Sequence, residues 1–222
     1  MDAKVKQAIY AGVNSYAGSE GLDGSTLLPK LDSVFDLEVP FLDKVEQLDQ
    51  VFDDHMQFDE LREVCFDLLM INFFAEDVQK LEEDYLESEE WESIEEQTLD
   101  RGTELLNIFL YLRECADEDV QPSLEDYLKE FLLVEEDEFQ DEYSIYEQVI
   151  ANQILVESDY SEIAKVAQSI GENEELYELF YPMVSFFYES NPTDKQVEEY
   201  TNFAANKAFE TSIYKLIVNF NK

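Results

Sequence analysis

The sequence predicts an all-α fold: a single-domain bundle of roughly eight to ten helices with a strongly acidic surface. Three observations predict it. Apolar residues recur at helical spacing almost throughout. From Phe58 to Tyr85 they fall at positions 58, 61, 65, 68, 71, 74, 78, 81 and 85, always three or four apart. No strand-like alternation is sustained over more than a few residues. Proline and glycine, which punctuate loops, number only five and six in 222 residues.

In chain order, Gly18, Gly21 and Gly24 mark a first loop, and Pro40 makes the short "DLEVPF" extended. "VCFDLLMINFFA" (64–75) is apolar nearly all round, as expected of a helix with neighbours on most sides. "LLNIFLYL" (105–112) reads as a second buried helix. Ser123, with Asp126 three residues on, opens "LEDYLKEFLL" as a variant capping box. Gly171 ends the helical run "YSEIAKVAQSI". Pro182 is expected to kink or break a helix at about Tyr181. Thr193 and Gln196 form a capping box before "KQVEEY".

Hydrophobic residues make up 45% of the chain, with sixteen Phe and thirteen Tyr, so it buries a core and is no disordered acidic tail. Yet 54 acids face 14 lysines and arginines, a formal charge of −40. The excess is uneven. Glu76–Glu96 holds eleven acids and one Lys, and Glu114–Glu142 holds thirteen and one, whereas Thr193–Lys222 is balanced at four of each. Sub-regions at 1–56, 57–157 (the acidic middle) and 158–222 follow from this. No Gly/Ser/Pro linker divides them, so one helical domain over 1–222 is expected.

Such a charge disfavours binding to a nucleic-acid backbone or an anionic membrane and favours a cationic partner. No apolar run approaches the roughly 20 residues of a membrane span, and the N-terminus lacks the apolar stretch of a signal peptide. A cytoplasmic protein is expected. Cys65 and Cys115 sit at helical spacing among apolar residues and read as small buried hydrophobes. His55, the sole histidine, follows Asp53 and Asp54, but three consecutive residues do not face one way on a helix. It reads as a polar residue at a helix end, with no metal site. No phosphate-binding loop, dinucleotide fingerprint, nucleophile elbow or calcium loop is present. With 54 acids, any pair of catalytic carboxylates matches by chance. Neither an enzyme nor a cofactor is expected.

An acidic chain of this kind has three readings. A solvated face, or adaptation to high salt, is the plainest; retention of sixteen Phe speaks against the latter. A second is electrostatic capture of a basic protein, the task of immunity proteins and antitoxins. The third is nucleic-acid mimicry. Eleven carboxylates over Glu76–Glu96 would span about 32 Å in one helix, one per about 3 Å, close to the roughly 3.4 Å of a single DNA strand. The chain is therefore expected to be a non-enzymatic acidic inhibitor, an immunity- or antitoxin-like protein or a DNA/RNA mimic. Its partner would be a basic toxin, nuclease or other nucleic-acid enzyme. A scaffold or adaptor binding through an apolar groove is the alternative. The expected partner-binding residues are Glu83, Glu87 and Glu90, one face if a helix runs through Ser88; Trp91, the only tryptophan, set among glutamates; and Glu135, Glu136, Asp137, Glu138, Asp141 and Glu142. Tyr85, Tyr143 and Tyr146 read more readily as core.

Self-repulsion at −40 opposes compaction and is screened by salt. Raising NaCl from about 20 mM to about 500 mM, across which the Debye length shrinks to well under about 10 Å, is expected to raise Tm in thermal denaturation. A flat curve would show charges too dispersed to matter.

Overall fold

The computed structural model describes the backbone of residues 1–76, 83–132, 139–174 and 176–222, and the side chains of these except 76, 83–84, 131–132 and 139–143. Every regular element among them is helical. The α-helices are α1 (Ala3–Glu20), α2 (Leu28–Phe35), α3 (Phe41–Asp53), α4 (Arg62–Glu76), α5 (Glu83–Leu86), α6 (Glu89–Thr98), α7 (Leu105–Asp117), α8 (Leu124–Leu132), α9 (Phe139–Ala151), α10 (Tyr160–Ala167), α11 (Phe180–Tyr188), α12 (Asp194–Phe203) and α13 (Lys207–Phe220). The 3-10 segments Met56–Leu61 and Gln153–Glu157 complete the described set. The total exceeds the eight to ten expected, because several periodic runs are broken by caps. The row from Phe58 to Tyr85 crosses such a boundary: it starts in a 3-10 turn and continues in α4, and its last residue, Tyr85, lies in α5. No helix among the described residues is long and apolar enough to cross a membrane.

Three helices form the interior. Every residue of α4 from Val64 to Phe74 is buried, as are Phe180–Phe186 of α11 and Ala208–Tyr214 of α13. The most extensive helix pair joins the two ends of the chain, α1 against α13. Gly12 makes the close approach possible: a Cβ there would meet Leu216 Cδ1 at 3.0 Å, and Ser212 Oγ donates to the Gly12 carbonyl at 2.9 Å.

Caps explain most boundaries. Asp2, Asp159, Thr193 and Asn206 accept backbone N–H groups at the starts of α1, α10, α12 and α13. Thr193 and Gln196 make the full capping box, and Ser123 Oγ accepts from the Asp126 N–H and donates to its carboxylate. Gly21, at φ +67°, ends α1; Gly18 remains inside the helix. Helix α10 ends at Ala167, before Gly171, in tight turns in which the N–H groups of Ser169 and Ile170 bond the Val166 and Ala167 carbonyls. Pro182 lies in the first turn of α11, where its missing N–H costs nothing, so the chain starts a helix there instead of breaking one.

A tyrosine cluster joins α10, α11, α12 and α13. The Tyr200 ring stacks between Tyr181 (centroids 4.4 Å apart) and Tyr214 (4.3 Å), with Tyr160 edge-on. Their hydroxyls are satisfied without charge. Tyr181 donates to the Tyr200 carbonyl and Tyr200 to that of Glu210. Tyr214 donates to the Glu189 carbonyl, which leaves Tyr160 as donor to Tyr214 at 2.8 Å. Burial pushes all four phenols up, Tyr160 to about 12.

Arg101 ties the loop after α6 to α3 and α4, and Arg62 ties the start of α4 to the end of α3. Arg101 clamps Asp49 with both terminal nitrogens (3.1 and 3.0 Å), bonds Glu63 through Nε, and lies over Phe66 at 4.9 Å. Arg62 takes Asp53 at 2.7 Å and Asp59 at 2.8 Å. Glu63 also accepts the Gly102 N–H, and the fully buried Asp67 accepts the Thr103 N–H (2.9 Å) and hydroxyl (2.5 Å). Burial drives the Asp67 carboxyl well above its ordinary range. Both cysteines are buried and unpaired as thiols, and burial pushes Cys65 up to about 12.

Asp67→Ala removes the acceptor for two Thr103 donors in a dry site; the expected loss is about 1–3 kcal/mol in urea denaturation. Gly102→Ala should cost as much or more, because φ is +88° there and a Cβ would sit 2.6 Å from Asp67 Oδ1. An unchanged midpoint in both would show that this contact does not hold the loop.

Candidate partner-binding surface

The acidic stretch after α4 is not one continuous helix. Ser88 is extended (φ −79°, ψ 151°), and its hydroxyl accepts the Trp91 N–H at 3.2 Å, so it caps a new helix, α6. Three acids, Glu89, Glu90 and Glu92, follow in the first turn, where the helix dipole favours negative charge. The break separates Glu83 and Glu87 from Glu90. The expected row Glu83–Glu87–Glu90 is thus divided between α5, the turn and α6, and the single straight helix of about 32 Å does not form.

Helix α6 sorts its side chains by face. Trp91, Ile94 and Thr98, spaced three and four apart, turn inward. Ile94 is 2% exposed, and Thr98 donates its hydroxyl to the Ile94 carbonyl. Trp91 is half-buried, with its ring 5.5 Å from Phe74 and 6.3 Å from Tyr85. Much of its surface is therefore committed to docking α6 on α4. The opposite face carries Glu89, Glu92 and Glu96, again three and four apart, with Glu90 and Glu95 at its flanks; all five are exposed. None has an ion-pair partner among the described residues. Five carboxylates on this ten-residue helix of about 15 Å keep the spacing of one per about 3 Å over a shorter length. Two large apolar residues stand at its ends, Leu86 (40% exposed) and Leu99 (78%).

Of the other sequence-derived residues, Glu87 and Glu90 are exposed. Glu135, Glu136, Asp137 and Glu138 lie outside the described residues, as do the side chains of Glu83, Asp141, Glu142 and Tyr143; the backbones of Asp141 and Glu142 belong to α9. Tyr146 is buried and donates to Glu104 at 2.6 Å. His55 is half-buried, its Nδ1 2.7 Å from the Val51 carbonyl at the end of α3. Comparison with protein-family models, with curated proteins and with solved structures returns no match.

The outward face of α6 carries Glu89, Glu92 and Glu96 in place of the expected row because Ser88 restarts the helical register. The signal was present: a serine followed at once by acids is a helix start. Ser88→Ala is expected to cost about 1 kcal/mol and to red-shift Trp91 fluorescence as α6 loosens. The triple change of Glu89, Glu92 and Glu96 to Gln should leave that emission unchanged. A shifted spectrum in the triple variant would place those side chains in the packing of α6.

Proposed function

We propose that this chain is a non-enzymatic, cytoplasmic, acidic inhibitor that occupies a basic site on another protein. The observation that carries this reading is the outward face of α6, where five exposed carboxylates have no ion-pair partner among the described residues. Elsewhere in the described chain, acids at structural junctions are paired: Asp49, Asp53, Asp59 and Glu63 with the two arginines. Unpaired charge on a rigid helix produces a field that steers a basic partner and is screened by salt. Leu86 and Leu99 add apolar contact at the rim of the same surface. A protein bound this way excludes the natural polyanion from its partner's basic site. For a nuclease, polymerase or nucleic-acid-guided complex the effect is DNA or RNA mimicry; for a toxin it is immunity. The density of about one charge per 3 Å suits the first as a phosphate-like row.

The test is capture from source-cell lysate at low salt with mass spectrometry, using wild type and the Glu89/Glu92/Glu96→Gln triple variant. A basic nucleic-acid enzyme or toxin is expected on the wild type, displaced by a competing duplex oligonucleotide and lost from the variant. Equal capture by both forms, resistant to the oligonucleotide, would sink the reading and point to an apolar groove.

A further inference from the structure

Glu210, in the first turn of α13, is one of two buried carboxylates among the described residues, at 9% exposure. Its hydrogen-bond partners are backbone N–H groups, Ala205 at 2.8 Å and Asn206. Among the described residues no lysine or arginine forms an ion pair with it. The carboxylate sits in the wall of a cavity of about 410 Å³ between α10, α12, α13 and the turn leading into α11. That volume lies within the range of small-ligand sites. Four of the other lining residues are aromatic: Tyr181 and Phe209 are buried, and Tyr177 and Phe203 are exposed at 37% and 40%; alanines, Gln168 and Asn206 line much of the rest. Glu178 supplies a second carboxylate. A more polar cavity shares Tyr177, Glu178 and Phe209 with it and adds Glu104, Glu172 and Glu174, together with Arg101, whose guanidinium is held by Asp49 and Glu63.

We propose that this cavity binds a small organic ammonium ion, held by the faces of Tyr177, Phe203 and Phe209 and neutralised by Glu210. Three features converge on that chemistry. Aromatic faces attract cations of low hydration, quaternary and alkylated ammonium above all. A buried carboxylate with no protein cation is costly and is relieved by a bound one. The acids of the adjoining cavity concentrate cations at the approach. An anionic ligand would meet Glu178 and Glu210 with no basic group among the lining residues. The site shares no residue with α6 and stands or falls apart from the inhibitor reading.

Protonation should switch it. Burial raises the Glu210 carboxyl to about 7. The titratable groups facing it are Glu178 from the turn before α11, Tyr181 of α11 and Tyr200 of α12; α10 offers Ala164, Ala167 and Gln168. Only the ionised form attracts a cation, so affinity rises with pH through neutrality.

Tetramethylammonium is the first probe, because its own charge does not change with pH. Titrated into the full chain at about 150 mM NaCl, where the Debye length is about 8 Å, and followed by NMR shifts, it is expected to bind about tenfold more weakly at pH 6 than at pH 8, as the ionised fraction falls. tert-Butanol, neutral and similar in size, should bind far less. Glu210→Gln should abolish the preference for the cation and the pH dependence. Phe203→Ala, at a position 40% exposed, should weaken binding severalfold. Glu38→Gln, an exposed acid away from both surfaces, should change nothing. Equal affinity for tert-butanol, a flat pH profile, or a loss shared by Glu38→Gln would overturn the proposal. A lysine tripeptide separates the sources: tighter binding than tetramethylammonium places the ammonium on a partner's side chain, and weaker binding places it on a free small molecule.

Discussion

Repulsion among 54 acids with only 14 lysines and arginines to offset them is the condition under which every part of this fold forms. Ion pairs cannot carry it, because there are too few cations. Burial must, and the interior is correspondingly heavy in rings. Tyrosine has a particular use here. It buries a large apolar surface and still offers a donor. The four phenols at the junction of α10–α13 satisfy one another and three backbone carbonyls. Polar bonds are thus made deep in the protein with no added charge. Burial raises these phenols, so they stay neutral across the ordinary pH range.

Two of the three arginines meet at one junction. Arg62 and Arg101 between them hold Asp49, Asp53, Asp59 and Glu63, where the loop from α6 crosses back over α3 and α4. Arg101 is four-fifths buried and stacks on Phe66, which makes it a stronger anchor than a solvated surface pair. Asp67 has no base at all and relies on Thr103. Carboxylates therefore divide by what satisfies them: arginine at the junction, backbone and hydroxyl groups inside, and water on the outer face of α6. That division separates charges that build the fold from charges left over for something else, which net charge alone does not do.

Much of the architecture was legible from periodicity and caps. The apolar run Val64–Phe74 is buried on all sides, Leu105–Leu112 is a core helix, and Thr193 with Gln196 caps α12 as spacing requires. Periodicity misled where the apolar step survived a break: Phe58, Leu61 and Cys65 keep helical spacing although the first two lie in a 3-10 turn. Ser88 has the same effect on the acids, and the row drawn through it joined residues of two helices. The contacts between Asp67 and Thr103, or around Glu210, have no local signature. They depend on where distant helices cross, and each acid looks in sequence like its many neighbours.

The two carboxylate settings also differ in how they act on a cation. The glutamates of α6 lie in water, so their influence extends about a Debye length, adds over the row and fades with salt. That suits orientation of a large basic surface during approach. Glu210 acts at short range from a largely buried position beside aromatic residues, where the interaction is stronger per charge and less screened. That suits recognition of one group of defined size. A chain with so large an excess of acids attracts cations everywhere. Selectivity among them must come from places where a carboxylate is buried, and among the described residues the Glu210 cavity combines a buried carboxylate with aromatic lining residues.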